Sequence, residues 1–320
     1  MNKKNYLFAI LTVTVWSTMA AVVKSLLSDI PDLEALSVSS AFAFLFLLAV
    51  NAVTGRLRAV RRYGARQFLV MAGLGFVGLF MYSALYYRGI AVLSSQEACI
   101  LNYLWPVMLV IFSSFILKEK MTWIKGLALL CSFTGVVILS GFPAADAGGD
   151  RWIGIACCLA AAACYGLFSV LNKKLGYDQN ITMTVIWFTV AAASAALGLC
   201  TERWVPIEGM QWAGILWLGI AVDAIAYLLW ALALSDAGNT AVIANLAYMT
   251  PFLSIAVSAV FLNETIQPVA VIAAVFIIGG ILIQSIFGHE KKKLDGPAHP
   301  DGPADIQTDS NGGQDEKDRT

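Results

Sequence analysis

The sequence predicts an all-α integral membrane protein: ten transmembrane helices in two inverted five-helix repeats, with both termini cytoplasmic. Three observations predict it. Hydrophobic residues make up 59% of the chain and charged residues 13%, with a mean hydropathy of +0.74. A soluble domain carries ~25% charged residues, so lipid must be the solvent for most of this chain. Ten apolar stretches are each long enough to cross a bilayer. Finally, residues 91–140 and 236–285 align without a gap at an offset of 145, with ten of the fifty pairs identical. Self-similarity of this kind in a membrane chain marks duplicated transporter halves.

The spans fall at roughly 6–27, 34–53, 67–87, 92–117, 122–141, 152–172, 181–200, 211–233, 240–262 and 266–287. A helix rising ~1.5 Å per residue needs about 20 residues to cross a hydrocarbon core of ~30 Å. Lys3 and Lys4 precede the first run, which is too long for a signal-peptide core and reads as an uncleaved span. Lysine and arginine then set the orientation. A cytoplasmic N-terminus leaves fourteen of them inside, the cluster Arg56, Arg58, Arg61, Arg62 and Arg66 included, against Arg88, Arg151 and Arg203 outside. That cluster suits anionic lipid headgroups rather than nucleic acid. The chain is thus expected to be multi-pass in the cell inner (plasma) membrane. After Gly288 the composition turns to Asp, Gly, Pro and Lys, which cannot bury a core and predicts a disordered cytoplasmic tail over 289–320.

An odd number of spans in each half, 1–142 and 143–288, sets the second half upside down relative to the first. Exchange of conformation between inverted halves gives alternating access around a site near the midplane. The matched pairs include Tyr103 with Tyr248, Pro106 with Pro251, Glu119 with Glu264 and Gly135 with Gly280. The first spans add a weaker match, Trp16–Lys24 against Tyr165–Lys173, at an offset of 149. Proline cannot donate to the carbonyl four residues earlier, so Pro106 and Pro251 are expected to free the oxygens of Asn102 and Ala247. In lipid such oxygens need another partner or a polar cavity. Paired interruptions in equivalent helices point to the substrate pathway.

The runs ILNYLWPVMLVIFSSFILKEKMTWIKGLALLCSFTGVVILS and LAYMTPFLSIAVSAVFLNETIQPVAVIAAVFIIGGILI share the spacing of Pro, Glu and Gly. Each resembles the fourth-to-fifth helix signature of the EamA-type drug/metabolite transporter superfamily. The resemblance covers residues 5–287. It implies helices 1–4 and 6–9 around a central cavity, helices 5 and 10 towards the periphery, and movement of small metabolites, often outward. The NYLWP stretch, Asn102 to Pro106, resembles the aromatic amino-acid exporter branch. Where the family often has glycine before the turn glutamate, this chain has Lys118 and Asn263.

Asp223 is the sharpest candidate for chemistry. It stands near the centre of span eight, where inserting aspartate costs ~2.5–3.5 kcal/mol, so it reads as a proton site or a partner for a substrate amine. Glu97, just inside the outer end of span four, is the second acidic candidate. Trp16, Tyr82, Tyr86, Asn102, Tyr103, Trp105, Tyr165, Asn172, Tyr227, Asn245 and Tyr248, with Pro106 and Pro251, are candidates for the pathway wall. Amphipathic rings with polar tips suit planar or zwitterionic metabolites, although Trp and Tyr also form interfacial belts, as Trp204, Trp212 and Trp217 do. Lys24 and Lys173, near opposite faces, are expected to reach the headgroups, with gating contacts as the alternative. Glu119 and Glu264 are read as structural turn residues that orient their hairpins by hydrogen bonds.

Other motifs carry less. GLGFVG, Gly73 to Gly78, fits GxGxxG but lies inside a span, where close helix packing explains it better than a dinucleotide. No Walker A motif occurs, and the six cysteines fall in apolar runs as packing residues. The expected function is a secondary transporter of small organic metabolites, amino acids or related compounds, exported by alternating access. Uptake of a nucleoside- or cofactor-like metabolite is the alternative within the class. A membrane-embedded lipid or prenyl transferase would need clustered acids or histidines; the acids here are isolated, and His289 and His299 stand at or in the tail. A receptor has no need of inverted duplication. The partners expected are a small-molecule metabolite and the bilayer, with no cofactor, metal or nucleic acid. Protons as coupling ion and a homodimer stay open.

Overall fold

A computed structural model describes residues 3–118, 123–141, 150–235 and 246–287, and all regular structure among them is helical. In chain order the helices are α1 (Lys3–Leu26), α2 (Asp32–Val53), α3 (Ala65–Val92), α4 in two pieces (Ser95–Asn102 and Trp105–Ile116) and α5 (Trp123–Gly141). Then come α6 (Asp150–Leu175), α7 (Gln179–Thr201) and α8, which runs as Met210–Leu216, a π-helical Trp217–Ala226 and Tyr227–Ser235. A 3₁₀ turn, Leu246–Met249, leads into α9 (Thr250–Phe261), and α10 (Pro268–Phe287) follows. The basic loop after α2 contains one helical turn, Leu57–Val60.

Among the described residues seven stretches are long and apolar enough to cross a membrane: those beginning at Lys4, Asp32, Ala65, Ser95, Asp150, Gln179 and Met210. The apolar parts of α5, α9 and α10 are shorter: Leu129–Ile138, Thr250–Phe261 and Pro268–Ile283. Polarity is distributed inside out. Thr12, Ser39, Ser40, Asn102 and Asp223 are buried, while Phe115, Val260 and Phe261 are at least 75% exposed. Such a surface would aggregate in water and suits acyl chains.

The helix starts are set locally. Asp178 Oδ1 accepts from the backbone N–H of Asn180 (2.9 Å) and Ile181 (3.2 Å) at the head of α7, satisfying two donors that no preceding turn can reach. Ser94 and Glu97 form a capping box at the head of α4. Pro106 and Pro251 each stand in the first turn of a fresh helix, where a missing N–H costs nothing. The expected interruption is therefore a full break: α4 stops at Asn102 and restarts at Trp105. The oxygen of Ala247 takes its hydrogen bond from the Tyr103 hydroxyl.

Packing follows a regular scheme: α5 lies along α10 and α2 along α7. Helices α3 and α4 pack on α6, α8 and α9 pack on α1, and α2 meets α8 while α7 meets α3. Along α5 and α10 the Cys131 thiol and Ser132 hydroxyl donate to the carbonyls of Phe276 (3.3 Å) and Ile277 (3.2 Å), each 145 residues on. Gly135 permits that approach, since a Cβ there would lie 2.8 Å from the Ala273 oxygen. In GLGFVG two of the three glycines serve packing. A Cβ at Gly78 would sit 2.6 Å from the Phe168 ring and one at Gly75 3.1 Å from Ile186 Cα, while Gly73 faces open space. Lys118 and Asn263 both adopt left-handed backbone, φ 56° and 53°, a conformation that glycine takes at least cost. Glu119, Asn245 and the tail beyond residue 288 lie outside the described residues.

Candidate functional site

Side chains from seven helices converge on a small central cavity. Helix α1 supplies Trp16 and Met19, α3 Tyr82 and Tyr86, and the break in α4 turns Asn102, Tyr103 and Trp105 inward. Tyr165 comes from α6, Trp187 from α7, Asp223 and Tyr227 from α8, and Thr250 from the first turn of α9. Asp223 occupies the π-helical part of α8, and a second π-helical stretch, Gly75–Phe80, precedes Tyr82 in α3. Widened turns of this kind recur at functional sites because they re-aim side chains and loosen the backbone ladder.

The rings form one connected wall. Tyr82 stacks on Tyr86 (5.9 Å between centroids) and leans on Tyr165 (5.0 Å), which Trp105 meets edge-on (5.1 Å). Across the cavity Tyr227 packs against Trp16 (5.3 Å) and Trp187 (6.0 Å). Asn102 Nδ2 donates to the Tyr82 hydroxyl at 3.1 Å. Four buried polar atoms of the cavity lining have no hydrogen-bond partner among the described residues: Asp223 Oδ2, Asn102 Oδ1, Trp187 Nε1 and Thr250 Oγ1. Orphaned polar atoms are costly in a folded interior, and these four share one cavity.

A second cavity shares Asp223 and Tyr227 and is lined further by Leu47, Val50, Thr54, Arg56, Gln179 and Asn180. It leads from the acid toward the ends of α2 and α7 beside the basic loop. The opposite ends of the helices are tied together. Glu97 Oε1 accepts from Arg151 at 2.9 Å with both side chains at most 10% exposed. Glu264 reaches from the α9–α10 turn to cap α4, accepting from Ser95 N–H at 3.0 Å and lying 2.9 Å from Ser95 Oγ. Lys24 Nζ donates to the carbonyls of Ile90 (2.8 Å), Ala91 (3.2 Å) and Leu93 (2.7 Å) at the end of α3.

Several expected site residues meet in the cavity: Asp223, Trp16, Tyr82, Tyr86, Asn102, Tyr103, Trp105, Tyr165 and Tyr227. Others do not line it. Glu97 stands in the tied end; Pro106 and Pro251 are buried beside the wall. Asn172 pairs with Gln179 at 2.9 Å. The side chain of Tyr248 lies outside the described residues. Two structural expectations are corrected. Lys24 binds helix-end carbonyls rather than reaching for headgroups, and Glu264 caps a distant helix rather than orienting its own hairpin. Lys173 is exposed in the last turn of α6. Sequence reading missed Met19, Cys99, Trp187 and Thr250; the first two and the last are indistinguishable from packing residues, and Trp187 from an interfacial ring.

Comparison with known proteins agrees with this architecture. The aromatic amino acid exporter YddG of Ancylobacter novellus is 27% identical over 279 residues, 86% of this chain and 94% of the relative. An S-adenosylmethionine uptake transporter of Rickettsia prowazekii is 24% identical over 64% of this chain and 67% of its own length. A solved crystal structure at 21% identity superposes with a TM-score of 0.65 over 88% of this chain and 96% of its own, which speaks for the fold alone. The EamA-like transporter family model matches twice, at residues 3–141 and 152–286. The chain is therefore a membrane transporter and not an enzyme, and it belongs to the EamA-like transporter family.

Proposed function

We propose that this transporter exports small organic metabolites bearing an amine, amino acids first among them, by alternating access between two inverted five-helix halves. The observation that carries the cargo assignment is the partnerless Asp223 carboxylate in an aromatic cavity shared by helices of both halves. Rings supply apolar area and the acid supplies orientation. Proton binding at the same carboxylate between cargo cycles is the coupling this reading favours.

Several features support the two inverted halves, 1–142 and 143–288. The family model matches once in each. Exchanging helix n for helix n+5 maps the pairs α5·α10 and α2·α7 onto themselves and each other major packing pair onto another. Residues 145 apart touch along α5 and α10, as a two-fold axis between them requires. The left-handed residues, 118 and 263, carry the same offset. Ten crossings follow if the three shorter apolar helices span with help from their neighbours, and the basic loops then place both termini in the cytoplasm. On that orientation the cavity holding Arg56 leads to the cytoplasm, the side from which an exporter loads, and the tied end closes the outside.

Uptake of a nucleoside- or cofactor-like solute is the second reading, favoured by the planar rings of the cavity and by the uptake transporter among the relatives. A thermal-shift screen of purified protein with amino acids, amines and nucleosides, followed by counterflow of each hit in liposomes, tests both. Exchange of an amine-bearing solute supports the first reading. Exchange of nucleosides alone supports the second, and no exchange of any solute overturns the carrier.

A further inference from the structure

We infer that the cavity selects organic cations, an aromatic ring carrying a protonated amine, over the zwitterionic amino acid with the same ring. The inference rests on the carrier reading above and moves its preferred cargo from amino acids to amines without a carboxylate. Among the described residues lining the central cavity there is one carboxylate, Asp223, and no lysine, arginine or histidine. The unmet hydrogen-bonding capacity has the same sign. Asp223 Oδ2 and Asn102 Oδ1 are acceptors awaiting donors, against one obligate donor, the indole N–H of Trp187, while the Thr250 hydroxyl can serve either way. An ammonium group brings three donors and no acceptor.

The rings add to this bias. Tyr82, Tyr165, Tyr227, Trp16 and Trp105 all line this space, and a cation over the face of such a ring is attracted by its quadrupole. A carboxylate entering the same space meets the negative faces of those rings and the charge of Asp223. One indole N–H and one hydroxyl do not offset its lost hydration, because a buried charge needs a counter-charge or several hydrogen bonds. The base nearest in the wall is Arg56, which lines only the second cavity and is exposed, where water and salt screen it.

Isothermal titration of the purified full-length protein in detergent with tryptamine, tryptophan and indole acetate tests the inference. The three share a ring and differ in charge. The expected order is tryptamine tightest, tryptophan weaker by about tenfold, and indole acetate weaker still. In Asp223→Asn the three are expected to converge, with tryptamine losing most. Tryptophan binding as tightly as tryptamine overturns the inference. So does a preference for tryptamine that survives Asp223→Asn. If tryptophan wins and Arg56→Gln abolishes its advantage, the zwitterion spans both cavities; the carrier reading then stands while the cation selectivity falls. If none of the three binds while another solute exchanges in liposomes, the inference again fails alone.

Discussion

The tied end and the central cavity hold the same kinds of side chain in opposite states. At the tied end the acids are matched: Glu97 with Arg151, and Glu264 with the head of α4. In the cavity Asp223 and Asn102 keep acceptors with nothing to accept from. A matched buried acid holds two elements together, and removing its partner strands a charge. An unmatched acid holds nothing, so its cost persists only where a ligand relieves it. Among these acids, function and architecture are thus told apart by hydrogen-bond satisfaction, not by residue type.

The largest effect should come from the tied end. Arg151→Met leaves Glu97 buried without its cation and is expected to lower stability by about 3 kcal/mol, read as a fall in the thermal unfolding midpoint in detergent. The double variant with Glu97→Gln should be less damaged than this single one. A midpoint equal to wild type would mean that the pair is no tie. Asp223→Asn should do the reverse, leaving the midpoint unchanged while cutting cargo affinity by about 10- to 100-fold, the worth of a hydrogen bond to a charge. Glu264→Gln is milder, costing about 1 kcal/mol at the α4 cap. It should speed thiol labelling of Ser94→Cys, beside the capped residue, without altering cargo binding. Trp187→Phe keeps the ring and removes the N–H; affinity for an amine should change by less than about twofold, since a neutral donor adds little to a cation. A larger loss would show that the indole holds a carboxylate.

The same contrast explains what the sequence disclosed. A bilayer makes any mid-span acid, amide or ring conspicuous, so Asp223, Asn102, Tyr82 and Tyr103 stand out in the sequence. The interruptions ahead of Pro106 and Pro251 were legible because proline forbids one particular hydrogen bond. Partnerships were not legible. Arg151 counted only as an outer-loop charge, and nothing in the chain announces that it meets Glu97, 54 residues away. Lys24 looked like any span-end lysine, because the carbonyls it binds become available only where α3 ends in space. The π-helical stretches left no trace that composition could reveal, since they depend on how α3 and α8 pack. Trp187 was hidden in another way: a single ring in an apolar span reads as belt or core until its unpaired N–H is seen facing a cavity.

Counterflow in liposomes, using the tightest-binding solute of the panel, compares wild type with Asp223→Asn most directly. The account predicts exchange by wild type that falls by at least about tenfold in a variant of unchanged thermal stability. Equal rates in the two proteins would contradict it, and the cavity around Asp223 would not be where cargo sits.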